Sequence, residues 1–83
     1  MAERDVVLEQ PARQFLFDVA TPGERSFLLR IIRELQEHPE PDDHRKFPMA
    51  SQSLLLFHDG HFWIVYEILN DFTISILGIG TAE

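Results

Sequence analysis

SLLLFHDGHFWIVYEILNDFTISILGI, residues 53–79, decides how this chain folds, because it reads as three successive strands. Residues 53–57 are a first apolar run, and His58-Asp59-Gly60-His61 follows as a hairpin turn with Asp-Gly at its centre. Residues 62–69 form a second strand, apolar on both faces except at Glu67, which predicts a central place in a sheet. Asn70-Asp71 is a second tight turn. In residues 72–79, Phe72, Ile74 and Ile76 alternate with Thr73 and Ser75, while Gly78 and Gly80 loosen the strand end.

Upstream of that meander the periodicity changes. Thr21-Pro22-Gly23-Glu24 reads as a capping box, with Thr21 as N-cap, Pro22 at the first helical position and Glu24 at the third. Phe27, Leu28, Ile31, Ile32 and Leu35 mark the buried face of a helix that runs to about Glu37 and stops at His38-Pro39. Pro11 opens an earlier helix with Ala12, Phe15, Leu16 and Val19 as its apolar stripe. Val6, Val7 and Leu8 suggest a short strand at a domain edge. Residues 40–44 are an acidic loop, and residues 45–52 read as an irregular lead-in because Pro48 would interrupt a ladder. The expected order is β-α-α-β-β-β: an α+β fold with two antiparallel helices packed on one face of a mainly antiparallel sheet.

The 83 residues predict one domain, residues 1–83. A hydrophobic fraction of 45% with seven phenylalanines suffices for a packed core. Cysteine is absent, which excludes a disulfide framework and thiolate metal sites and fits a reducing cytosol. No apolar run spans a bilayer, and Glu3, Arg4 and Asp5 do not resemble the start of a signal peptide, so a cytoplasmic protein is expected. The net charge is −7, and every Lys and Arg lies at or before Lys46. The meander therefore has no cation with which to neutralise phosphate, and weak or no nucleic-acid binding is expected.

The element order resembles the RelE/ParE superfamily of type II toxin–antitoxin toxins. The residues that carry the resemblance are the helix ending at His38-Pro39, then Lys46-Phe47 where the family tends to have Lys-Leu. Gly60 and Phe62 at the hairpin, the central strand Ile64-Val65-Tyr66-Glu67-Ile68 and the closing strand from Ile76 to Gly80 complete it. The resemblance implies a toxin scaffold and an antitoxin-like protein segment as partner. RNA-cleaving members commonly carry arginines where this chain has Leu56, His58 and Trp63, and a terminal His-Arg pair with a nearby tyrosine where it has Thr81, Ala82 and Glu83. Arginine stabilises charge developing at phosphorus, and neither hydrocarbon nor indole replaces it.

Two functional readings follow. In the first, the chain binds protein through Trp63, Val65 and Leu69 on the sheet and Arg25, Arg30 and Arg33 on the second helix. In the second it is a ribosome-dependent mRNA endonuclease using Lys46, His58 and His61, the imidazoles serving as acid and base. Each set also has a plainer reading. The histidines flank a turn that wants polar neighbours, Arg45 and Lys46 answer Asp42 and Asp43, the arginines form a solvated helix face, and Trp63 is covered by the chain's own termini. Two imidazoles with no third ligand make a weak metal site, and neither a metal nor a cofactor is expected. A homodimer formed through exposed aromatic surface is the remaining alternative.

Overall fold

The computed structural model describes residues 4–42, 44–49 and 53–81. Strand β1 spans Asp5–Leu8, helix α1 spans Gln10–Gln14 and continues as a π-helical turn over Phe15–Val19, and α2 spans Pro22–Glu37. Strands β2 (Lys46–Pro48), β3 (Leu54–His58), β4 (Phe62–Asn70) and β5 (Thr73–Thr81) follow. One five-stranded sheet results, in the order β1-β5-β4-β3-β2, antiparallel except where β1 runs parallel to β5. β4 is the middle strand, as its apolar pattern predicts. No helix among the described residues is long and apolar enough to cross a membrane.

The capping box forms at the start of α2. The Glu24 N–H donates to Thr21 Oγ1 at 3.2 Å, and the Thr21 N–H donates to Glu24 Oε1 at 2.8 Å, so two N–H groups that the helix cannot satisfy find acceptors. Leu28, Ile31, Ile32 and Leu35 then pack, buried, against Leu55, Phe57, Ile64, Tyr66, Ile74 and Ile76 of the sheet. The first helix departs from the α period. The Ala20 N–H donates to the Phe15 carbonyl at 2.8 Å, closing a π turn. That turn takes more residues than an α turn, so it rotates Val19 off the stripe and brings Ala20 onto it. Val19 is 62% exposed and Ala20 only 7%.

Residues 45–52 are not wholly irregular. Lys46–Pro48 forms an edge strand on β3, with Lys46 opposite Phe57 and Phe47 opposite Leu56. Pro48 is tolerated because it lies at the end of an edge strand, where a missing N–H leaves no central ladder bond open. Residues 50–52, in the same stretch, lie outside the described residues.

Candidate functional site

Alternation along the strands divides the sheet into two faces. Leu55, Phe57, Phe62, Ile64 and Tyr66 point under the helices. Among the described residues the other face carries no helix. Across it the register sets Phe47, Leu56, Val65 and Gly78 in one row, and His58, Trp63 and Gly80 in the next. A third row holds Leu54, Glu67, Ser75 and Val7. Phe47 is 47% exposed and Val7 43%, so apolar surface stands open at both sides of this face. Glu67 and Asp5 supply carboxylates, and Ser75 Oγ donates to Glu9 Oε2 at 3.2 Å beside them. Of the seven Lys and Arg, only Lys46 lies in a strand, and its position opposite Phe57 turns it toward the helices.

Trp63 is half-buried, and its cover is the chain's own β5. A Cβ built on Gly80 would overlap the indole carbons Cζ2 and Cε2 and lie 2.8 Å from Nε1, while one on Gly78 would lie 3.6 Å from Cζ3. The two glycines thus do more than loosen a strand end: they form the shallow floor on which the ring lies. Tyr66 is wholly buried, with its hydroxyl donating to the Pro39 carbonyl at 2.6 Å, and Phe62 packs against Phe27 with ring centroids 5.9 Å apart. Neither ring offers a stacking surface to a base.

Lys46, His58 and His61 do not meet. Lys46 is 4% exposed, and its Nζ donates to the His38 carbonyl at 2.6 Å and to Asp42 Oδ1 at 2.9 Å, tying the end of α2 to β2. His58 belongs to the opposite face, across from Trp63. The hairpin register differs from the expected one. The Asp59 N–H donates to the Phe62 carbonyl at 3.3 Å, which makes Gly60 and His61 the central pair of the turn. Gly60 takes φ of 98°, the conformation glycine adopts without strain. His58 and His61 therefore do not face each other across the strands, and the geometry for sharing a metal is lost. Asp59 accepts from the His61 and Phe62 N–H groups at 3.0 and 2.9 Å. Partial burial pushes its carboxyl up, but those two N–H groups and the neighbouring His61 together outweigh burial and hold it below the usual carboxylate range.

The remaining cations are turned inward or lie on the helix layer. Arg45 pairs with Glu34 of α2 and stacks over the Phe57 ring at 5.2 Å. Asp42 answers Lys46 as expected, while Asp43 lies outside the described residues. Arg25 is not presented to a partner: its Nε donates to the Leu16 carbonyl at 2.7 Å and its Nη2 to the Ala20 carbonyl at 3.5 Å, closing the π turn onto α2. Arg30 and Arg33 are exposed on α2, on the helix layer and away from the open sheet face. Leu69, one residue before the end of β4, is half-exposed, beside a register shift between Ile68 and Asn70. The expected partner-binding set thus splits in two, with Trp63 and Val65 on the open face and the arginines elsewhere. Sequence reasoning missed Phe47 as a member of that face. Its one signal was the alternation of Lys46 and Phe47, which Pro48 obscured.

No protein-family model matches this chain, and no curated protein matches it in sequence. Solved structures do. The toxin–antitoxin complex RelBE2 from Mycobacterium tuberculosis contains a chain that superposes with a TM-score of 0.80 at 17% identity, covering 99% of this chain and 94% of that one. The isolated RelE toxin of E. coli gives 0.77 at 14% identity, covering 99% and 86%. A chain of the archaeal RelE–RelB complex from Pyrococcus horikoshii gives 0.73 at 16% identity, covering 96% of both. With two helices packed on one face of a five-stranded, mostly antiparallel sheet, this chain has a fold like that of the RelE toxins.

Proposed function

We propose that this chain is a toxin-like protein of the type II toxin–antitoxin kind that works by binding protein, most simply an antitoxin-like segment laid across the open sheet face, and that it does not cut RNA. One observation carries the reading. The open face holds an apolar row of Phe47, Leu56 and Val65, while no open-face strand position holds Lys or Arg. A contiguous apolar surface suits a protein partner. Cleavage of a phosphodiester requires cations that hold the phosphate and stabilise charge developing on it. The fold is compatible with such a partner, since two of the similar structures are toxin–antitoxin complexes.

Co-expression with the product of the neighbouring gene tests the proposal. The two are expected to co-purify, and Phe47→Asp, which places a charge in the apolar row, is expected to release most of the partner. If the tagged chain retains no co-encoded protein and runs as a monomer by light scattering, the proposal fails.

A further inference from the structure

We infer that the segment docking on the open face is cationic: an amphipathic stretch with apolar anchors over the Phe47–Leu56–Val65 row and Lys or Arg reaching toward Glu67, Asp5 and Glu9. This rests on the reading of that face as a docking surface and adds the chemistry of its occupant.

Three observations carry it. The charges on the face have one sign. Glu67 sits half-buried in the middle of β4, Asp5 is exposed on β1, and Glu9 lies beside them as the acceptor of the Ser75 hydroxyl. Next, the cations nearest the sheet are already engaged on the other side of it or at its edge. Lys46 pairs with Asp42, Arg45 with Glu34 and Arg4 with Glu40, and Arg13 Nη2 donates to the Leu8 carbonyl at the end of β1 at 3.2 Å. An acidic segment would find no Lys or Arg on the strands of this face and would bring carboxylates against Glu67 where docking excludes water, a juxtaposition that complementary interfaces avoid. A cationic one would relieve part of the net charge of −7. Finally, Pro48 has no N–H to offer at the outer edge of β2, which disfavours strand addition there and favours a segment lying across the face.

Three fluorescein-labelled peptides of about 16 residues test the inference, long enough to hold a helix on a surface. They share leucines at i, i+3, i+4 and i+7 spacing and differ only in their polar positions, which are all Lys, all Gln or all Glu. Anisotropy titrations use the intact protein, Phe47→Asp, Phe47→Ser and Glu67→Gln, with folding checked by near-ultraviolet circular dichroism. The lysine peptide is expected to bind about tenfold more tightly than the glutamine one, and the glutamate peptide least. Glu67→Gln should weaken the lysine peptide about threefold and leave the glutamine peptide unchanged. Phe47→Asp and Phe47→Ser should each weaken the lysine peptide about tenfold or more, the former although it adds a negative charge.

Glutamate-peptide binding that equals lysine-peptide binding and still depends on Phe47 would leave the docking face standing and overturn its cationic occupant. Lysine-peptide binding indifferent to both Phe47 variants would be non-specific attraction to an acidic protein, and docking face and inference would fall together. Absence of binding by all three peptides would have the same consequence.

Discussion

Replacing Gly80 with alanine tests how the open face is tiled. The added methyl would occupy space held by the Trp63 ring, so either the ring lifts or the β4–β5 pair distorts. Overpacking of this kind costs about 1–3 kcal/mol, equivalent to a melting point lower by roughly 4–8 °C for each kcal/mol in a domain this size. Trp63 is the sole tryptophan, so its emission reports the displacement directly. Unchanged melting and unchanged emission would place the ring elsewhere. Gly78→Ala should be milder, since its methyl would meet the ring at ordinary contact distance. Asp59 gives a second test. Its carboxyl is lowered from 3.8, so the stability it contributes is present above that value and is lost as pH falls through the folded-state value. Asp59→Asn should flatten the acid limb of a urea-midpoint profile below about pH 4 and change its slope little near neutrality. The glycines and histidines show where single residues mislead. Gly78 and Gly80 read as a weak strand end because their purpose lies in the ring of a neighbouring strand. His58 and His61 read as a facing pair because a two-residue turn centred on Asp59-Gly60 and one centred on Gly60-His61 look alike in sequence.

The elements were legible to the extent that their signals are local. Thr21 and Glu24 announce the start of α2 because a capping box is complete within four residues, and the box forms as expected. Thr21→Ala should destabilise the domain by about 1 kcal/mol, seen as a lower urea midpoint at unchanged slope. No shift in midpoint would mean that the start of α2 contributes nothing to the cooperative unit. The apolar stripe of α2 and the meander from β3 to β5 were legible for the same reason, since period and turn chemistry agree. Two elements were not. The π turn cannot be read from an α-period count, which puts Val19 in the stripe that Ala20 fills; the contact that fixes the turn comes from Arg25, outside the segment. Strand β2 is three residues long and ends in proline, so only its pairing with β3 makes it a strand. The turning of Lys46 toward the helices depends on that pairing, and with it the separation of Lys46 from His58.

In the molecule as a whole, the order β1-β5-β4-β3-β2 leaves one face of the sheet without helices among the described residues and puts the chain's cations almost everywhere else. The open face follows from the α+β pattern, and its lack of Lys and Arg follows from the confinement of every Lys and Arg to positions up to Lys46. The pairing of Lys46 with Asp42 was legible, but not that Glu34 of α2 engages Arg45 and that the His38 carbonyl at the end of α2 holds Lys46. Lys46→Ala would therefore be a poor probe of catalysis, because it removes a buried tie and destabilises the fold. His58→Ala and His61→Ala alter exposed side chains and are the suitable controls. On the proposed reading, this RelE-like scaffold presents a face for protein and not for a phosphodiester. The most direct measurement maps messenger RNA 5′ ends in cells before and after induced expression of the intact chain. No new ends are expected. New ends within coding regions, abolished by His58→Ala or His61→Ala, would contradict that reading.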